Sequence, residues 1–173
     1  MPVKQVIVVR RYYPDDKGSV KKIQPGKLGA QIGHAAMAWL TRRLQKQLEA
    51  EKGKIIYVEK VDPLNPAQVR MVPVPNLGVR EPKKIKDLFS KEELDWIVEI
   101  PGEKNFKKVL CRVDTEEELK EVYEKAKAAG LEAHLIIDSG ATEFHGVPMA
   151  TCVGIGPDLD EKIDPITGKL DLL

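Results

Sequence analysis

A strand, a helix and a second strand follow one another without interruption between Lys107 and Ile137. The run KKVLCRV at 107–113 is apolar and rich in β-branched residues, which predicts a buried strand. TEEE at 115–118 then opens a helix that we expect to end at about residue 129, before Gly130. Leu135–Ile137 is the second strand. Strands joined through a helix run parallel, so this unit predicts the α/β class.

Two further strands and one long helix extend the pattern. Val6–Val9 and Thr151–Ile155 are short buried runs, and residues 27–49 place apolar side chains on one side of a 3.6-residue period. Residues 12–26 are rich in Pro, Gly and Asp, and we expect them to form a loop. Four strands and two main helices predict an α/β sheet with helices covering its faces.

The length of 173 residues suits a single domain. Residues 51–105 are the least regular part, with six prolines between short apolar runs, and we interpret them as a loop-and-hairpin insertion. Near the end of the insertion, SKEE at 90–93 has the spacing of a capping box and predicts a short helix. The expected organisation is therefore one domain over 1–173 with an irregular insertion at about 51–105.

Charge is balanced over the whole chain but not along it. Lys and Arg number 28 against 27 Asp and Glu, so the chain lacks the large basic excess of many nucleic-acid-binding proteins. The first 30 residues nevertheless hold seven basic residues against Asp15 and Asp16: Lys4, Arg10, Arg11, Lys17, Lys21, Lys22 and Lys27. Such a cluster is typical of a surface that binds phosphates, and we expect Arg10 and Arg11 to contact substrate. The alternative is that these residues lie on solvated loops.

The cysteines and the amino terminus indicate the compartment. Cys111 and Cys152 lie far apart in apolar stretches, which favours buried free thiols over a disulfide or a zinc site. The apolar run before Arg10 is too short for a signal peptide or a membrane span. The three histidines have no spacing typical of metal ligation. We therefore expect a cytoplasmic protein with no metal and no membrane partner.

The start of the long helix carries the first candidate site. Lys27, Gln31 and His34 are spaced i, i+4 and i+7, which places them on one helix face. A lysine in the first turn adds its charge to the positive end of the helix dipole, a combination that suits a phosphate or a developing oxyanion. The alternative is a solvated lysine, an exposed glutamine and a histidine satisfied by a neighbour.

The second candidate site follows the strand at 135–137. Asp138 ends that strand, Gly140 permits a tight turn, and Thr142 adds a hydroxyl to the same loop. A carboxylate at the carboxyl end of a strand is commonly directed into a binding crevice. The alternative is an Asx-turn without chemistry.

Five segments in this order resemble the type II peptidyl-tRNA hydrolase family: VIVVRR, GKLGAQIGHAA, LIIDSGATEFHGVP, TCVGIGP and IDPITGKLDLL. The resemblance covers residues 3–50 and 107–173, or 115 of 173 positions. It implies hydrolysis of the ester between a peptide and the 3′ ribose of tRNA, without a cofactor. It also implies a mixed four-stranded sheet in a three-layer α/β/α arrangement, and a homodimer.

The resemblance also assigns residues. The functional lysine of the family falls on Lys27, its glutamine on Gln31, its aspartate on Asp138 and its two threonines on Thr142 and Thr151. His34 matches the histidine of the same helix, whereas Ala141 stands where many members carry Arg or Lys.

The resulting hypothesis assigns catalysis to Lys27, Asp138, Thr142 and Thr151, and substrate binding to Gln31, His34, Gly140, Arg10 and Arg11. Asp138 would orient or deprotonate water, and Lys27 with the helix N-terminus would stabilise the oxyanion. One alternative is a non-catalytic module on the same fold that binds tRNA or a protein. Another is a hydrolase that acts on small-molecule esters.

Overall fold

The computed structural model describes residues 2–15, 17, 19–52, 55–62, 65–75, 88–98 and 106–173. The chain divides into two compact units, one of residues 1–39 and 86–173 and the other of residues 40–85. The elements of the chain, in order, are β1 (Val3–Arg10), β2 (Tyr12–Pro14), β3 (Val20–Lys22), α1 (Pro25–Lys52), β4 (Ile55–Asp62), β5 (Asn65–Pro75), α2 (Lys91–Ile97), β6 (Lys107–Val113), α3 (Glu116–Ala128), β7 (Ala133–Asp138), β8 (Met149–Leu159), α4 (Asp160–Thr167) and β9 (Asp171–Leu172).

The larger unit contains a mixed sheet of five strands in the order β7-β8-β1-β6-β9. Strand β1 is parallel to β6 and antiparallel to β8, and β8 is antiparallel to β7. Strands β6 and β7 therefore run in the same direction, as the sequence predicts, but β1 and β8 lie between them. All eight residues of β1 are buried, which fits its central position.

Helices cover both faces of this sheet, which confirms the three-layer arrangement. Alternate residues of β1 point to opposite faces. Val6 and Val8 pack with α3 and α4, whereas Ile7 and Val9 pack with α1. Helix α3 begins at the capping box of Thr115, and Gly130 follows its end with φ of 73°.

Helix α1 lies very close to the sheet. A Cβ atom added at Gly154 of β8 would be 2.3 Å from the carbonyl oxygen of Ala35. In addition, Gln5 of β1 donates from Nε2 to the carbonyl oxygen of Ala36 at 2.8 Å. The small residues of α1 thus allow a direct approach of main chain to main chain, and this contact positions the amino-terminal half of the helix that bears Lys27.

Two sequence predictions need correction. The four-stranded sheet has a fifth strand, because β9 pairs with Cys111 and Arg112 of β6. Residues 12–26 are not one loop, because β2 and β3 form a hairpin and α1 already begins at Pro25. Proline at a helix start is favoured, since its missing N–H has no partner there in any case.

The insertion is described in part. The smaller unit contains the end of α1 and the two-stranded sheet of β4 and β5, which agrees with the predicted hairpin. The predicted short helix is α2, and both hydrogen bonds of its capping box with Ser90 are present. Residues 76–87 and 99–105 of the predicted insertion lie outside the described residues. The assignment of one domain over 1–173 remains a prediction.

Among the helices that the structure describes, none is long and apolar enough to cross a membrane. Both Cys111 and Cys152 are free and buried, as the sequence predicts.

Candidate active site

The two candidate sites predicted from the sequence meet at the carboxyl end of β7. Lys27 Nζ lies 2.9 Å from Oδ1 of Asp138 and 2.6 Å from Oγ1 of Thr142. The side chains of Lys27 and Asp138 keep 17% and 9% of their exposure, so the ion pair is largely shielded from bulk water. Thr142, in contrast, is exposed. The lysine of α1 therefore connects the β7 carboxylate with the hydroxyl of the following loop.

Gln31 and Thr151 form a second layer behind Asp138. Gln31 donates from Nε2 to Oδ2 of Asp138 at 2.7 Å. Thr151 Oγ1 lies 2.9 Å from Oε1 of Gln31 and 3.2 Å from the carbonyl oxygen of Ile136. Thr151 is fully buried in β8, so its hydroxyl reaches the site only through the Gln31 amide.

Three donors surround the Asp138 carboxylate. Oδ1 accepts from Lys27 Nζ and, at 2.8 Å, from the backbone N–H of Gly140, while Oδ2 accepts from Gln31. A carboxylate offers about four acceptor positions. Within the described part of the chain no other group donates to it, so one acceptor position on Oδ2 is not occupied.

The same contacts determine the charge of Asp138. Burial raises the pKa of this carboxyl, but the hydrogen bonds from Lys27 and Gly140, together with the charges of Lys27 and His34, lower it further than burial raises it. The net effect is a pKa below the ordinary value for aspartate. Asp138 is therefore ionised at neutral pH, and it is a weak base.

The loop after Asp138 is held in a tight conformation. Gly140 has φ of 80°, and a Cβ atom added there would be 2.2 Å from the carbonyl oxygen of Val147. The carbonyl oxygen of Gly140 accepts from the N–H groups of Phe144 and Gly146 at 3.1 and 3.0 Å. Only glycine fits this position without displacing the chain, and the turn places Thr142 beside Lys27.

The remaining predicted substrate-binding residues have different environments. His34 is exposed on α1, near enough to Asp138 for a positive charge on its ring to lower the pKa of that carboxyl. Arg10 is buried, with Nη1 2.6 Å from Oε2 of Glu116 and Nε donating to Tyr12 O at 2.7 Å. Arg11 is half-buried and pairs with Asp114 at 2.8 Å. These contacts favour a structural role for Arg10 and leave Arg11 at the surface.

Three residues near the site have no role in the sequence hypothesis. Phe144 is buried in the loop after Asp138, its ring stacks on Tyr13 of β2 at 4.8 Å between centroids, and Lys27 Nζ lies 5.5 Å from its centroid. Lys21 of β3 donates to the carbonyl oxygen of Glu143 at 3.1 Å. The hairpin is therefore joined to the active-site loop. The only sequence signals are an aromatic residue in a polar loop and a lysine within the basic cluster.

The fold and the site define an α/β protein with a shielded ammonium–carboxylate pair at the end of a sheet strand. Such a site can orient water and stabilise negative charge that develops on a neighbouring oxygen. Within the described ranges, no three His, Cys, Asp or Glu residues are grouped so that they hold a metal ion.

Comparison with known proteins identifies the family. The family model described as "Peptidyl-tRNA hydrolase PTH2" matches residues 3–173, and the chain belongs to this family. It is 49% identical over 67 residues to the peptidyl-tRNA hydrolase of Methanothermobacter thermautotrophicus, a match that covers 39% of this chain and 59% of the relative. The corresponding protein of Methanocaldococcus jannaschii is 48% identical over 67 residues, or 39% of this chain and 57% of the relative.

A longer match covers most of both chains. The peptidyl-tRNA hydrolase of Sulfolobus acidocaldarius is 31% identical over 149 residues, which are 86% of this chain and 88% of the relative. The chain thus spans less than two thirds of the length of the first two relatives but most of the third.

Proposed function

We propose that this protein hydrolyses the ester bond between a peptide and the 3′ ribose of tRNA, and so releases both. The observation that carries the proposal is the shielded pair of Lys27 and Asp138, with Thr142 beside it, in a chain of the peptidyl-tRNA hydrolase PTH2 family. The names of the relatives support the same substrate. The reaction requires a water molecule, an acceptor for its proton and a donor for the developing oxyanion.

Lys27 is the proposed oxyanion donor. An ammonium group has three N–H donors. Two of them are directed to Asp138 Oδ1 and Thr142 Oγ1, which leaves one for the ester carbonyl oxygen. Lys27 also lies in the first turn of α1, where the helix dipole favours negative charge. The charge on the tetrahedral oxygen would therefore be stabilised by a group that is already in position.

Asp138 is the proposed orienting group and proton acceptor. Its open position on Oδ2 would accept a hydrogen bond from water, whose oxygen attacks the ester carbonyl carbon. The water proton passes to Oδ2 as the tetrahedral intermediate forms. When the C–O bond to the ribose breaks, the ribose oxygen takes that proton. A carboxylic acid of low pKa gives up the proton readily, which suits this second step.

The other site residues support this pair in our proposal. Thr142 accepts from Lys27, so its own O–H remains to donate to water or substrate. Gln31 and Thr151 position Asp138, and Gly140 shapes the loop. His34 and Arg11 would contribute positive charge to tRNA binding. Cytoplasmic location, homodimerisation and action without a cofactor follow from the family resemblance and the sequence, and they belong to the proposal.

The test measures release of free tRNA from purified peptidyl-tRNA, with a simple aryl ester as the second substrate. We expect the wild type to act on peptidyl-tRNA, and Asp138→Asn to reduce kcat by about 100-fold or more. Asp171→Asn is the matched control, because its carboxylate is exposed and pairs with Arg112 away from the site. Tight binding without release would favour the non-catalytic module, and release only from the aryl ester would favour the small-molecule hydrolase.

A further inference from the structure

The hairpin of β2 and β3 presents two different faces. Tyr13 pairs with Lys21, and Tyr12 pairs with Lys22, so the first pair projects from one face and the second pair from the other. Tyr13 is buried and Lys21 half-buried, whereas Lys22 is exposed. The face with Lys21 is therefore the one directed toward the active-site loop.

Two contacts hold Lys21 at the edge of the site. Its Nζ donates to the carbonyl oxygen of Glu143 at 3.1 Å and lies 5.9 Å from the centroid of the Phe144 ring. Glu143 directly follows Thr142, and Lys27 Nζ lies 5.5 Å from the same ring. The ammonium groups of Lys21 and Lys27 thus lie around one aromatic ring.

The two lysines differ in how their charge is balanced. Lys27 is neutralised by Asp138 at 2.9 Å. Among the residues that the structure describes, no carboxylate lies within ion-pair distance of Lys21, and the carbonyl oxygen of Glu143 occupies only one of its three N–H donors. A carbonyl oxygen and an aromatic ring attract a cation but do not cancel its charge. The charge of Asp15 interacts with that of Lys21, but the two side chains do not form an ion pair. Lys21 therefore offers two N–H donors beside the ester site and, among the described residues, has no ion-pair partner.

We propose that Lys21 binds the phosphate on the 5′ side of the terminal nucleotide of the substrate. The proposal rests on the function proposed above, in which the scissile ester lies on the ribose of that nucleotide at Lys27 and Asp138. The nearest anion of the substrate is then the phosphate one ribose away. An ammonium group binds phosphate oxygens through charge-assisted hydrogen bonds. Lys21 would thus place the ribose so that its ester faces Lys27.

The test uses the smallest substrates that differ only in this phosphate. They are an N-acetylaminoacyl ester of adenosine and the same ester of adenosine 5′-monophosphate, and the quantity compared is the ratio of their kcat/KM values. We expect the wild type to prefer the phosphorylated ester by about tenfold. Lys21→Met should bring the ratio to about one, and Lys21→Arg should retain a preference. Lys22→Met, on the opposite face of the hairpin, should keep the wild-type ratio.

The proposal is overturned if the ratio of the two kcat/KM values in Lys21→Met stays at the wild-type value. This includes the case in which the kcat/KM values for both esters fall equally because the loop is displaced. Binding of adenosine 5′-monophosphate and adenosine, followed by amide chemical shifts, provides a readout without turnover. If the wild type hydrolyses neither these esters nor peptidyl-tRNA, the proposed function fails. Even then, the phosphate site is supported if the wild type binds adenosine 5′-monophosphate more tightly than adenosine and Lys21→Met abolishes this difference. Equal binding of the two compounds by the wild type refutes it.

Discussion

The hydroxyl of Thr151 lies 2.9 Å from Oε1 of Gln31, and this contact determines which end of the amide faces the site. A hydroxyl that donates to Oε1 leaves Nε2 directed at Asp138 Oδ2, 2.7 Å away. With the amide reversed, an oxygen would face the carboxylate and a donor would be lost. In the proposed mechanism Thr151 is therefore a positioning residue, although it is fully buried.

Thr151→Val keeps the shape of the side chain and removes the hydroxyl. We expect kcat on peptidyl-tRNA to fall about tenfold with little change in KM, because Gln31 no longer holds Asp138 in place. Thr151→Ser retains a hydroxyl and should recover most of the activity. Equal losses in the Val and Ser variants would indicate that packing of the methyl group matters rather than the hydrogen bond.

Lys27→Met should raise the pKa of Asp138, since it removes the hydrogen bond and the charge of Lys27, both of which oppose the effect of burial on this carboxyl. Titration followed by the carboxyl carbon resonance of Asp138 measures this directly. A carboxyl whose folded pKa is lowered stabilises the protein above its unfolded pKa, near 4, and loses this contribution as pH falls through the folded pKa. The stability advantage of wild type over Lys27→Met should therefore be full at neutral pH, and it should shrink as pH falls from the folded pKa of Asp138 in the variant to that in the wild type.

In the same titration, Lys22→Met serves as the control, because it removes an exposed lysine from the outer face of the hairpin. Its Asp138 titration should match that of the wild type. An unchanged Asp138 pKa in Lys27→Met would contradict the ion pair itself.

Gly140→Ala and Gly146→Ala form a matched pair, since both glycines have φ near 80°. A Cβ atom at Gly140 would be 2.2 Å from Val147 O, whereas at Gly146 nothing lies within 4 Å. We expect Gly146→Ala to lower the free energy of unfolding by about 1 kcal/mol, which is the cost of the left-handed conformation alone. Gly140→Ala should cost more and also reduce kcat. Equal costs in urea denaturation would show that the loop relaxes without penalty.

Arg10→Met tests whether Arg10 is structural. Arg10→Met removes an ion pair with Glu116, which keeps Lys120 as a second partner at 2.7 Å, and a hydrogen bond to the carbonyl oxygen of Tyr12. We therefore expect a loss of about 2 kcal/mol in the free energy of unfolding. The KM of the folded variant for peptidyl-tRNA should stay close to that of the wild type. Glu116→Gln should also destabilise the protein, since it removes the partner of the same pair. A large rise in KM with unchanged stability would instead assign Arg10 to substrate binding.

The elements with strong local signals could be predicted from the sequence. The capping residue Thr115 and Gly130 define α3, and the run at 107–113 matches β6. The three strands that the sequence does not predict, β2, β3 and β9, have no such signal. Strand β9 is two residues long and exists because it pairs with Cys111 and Arg112, while β2 and β3 pair with each other within a segment rich in turn residues.

The site could be predicted only in part, because it depends on contacts between residues that are far apart in the sequence. Helical spacing places Lys27 beside Gln31, and Asp138 stands at the end of a strand. The contacts of Lys27 and Gln31 with Asp138, however, depend on how α1 lies against the sheet. The buried position of Thr151 depends on the pairing of β7 with β8. The ion pair of Arg10 joins residues that are 106 positions apart, so the sequence around Arg10 does not indicate its partner Glu116.

The approach of Gly154 to Ala35 affects which substitutions this chain can accept without moving α1. Because the two main chains meet directly, the height of α1 above the sheet is determined by backbone atoms rather than by the size of the surrounding side chains. Apolar residues of the core can then be replaced by other apolar residues while the distance between the charged groups of Lys27 and Asp138 stays the same. Gly154 lacks that freedom, since any larger residue would lift the helix and separate the two charged groups.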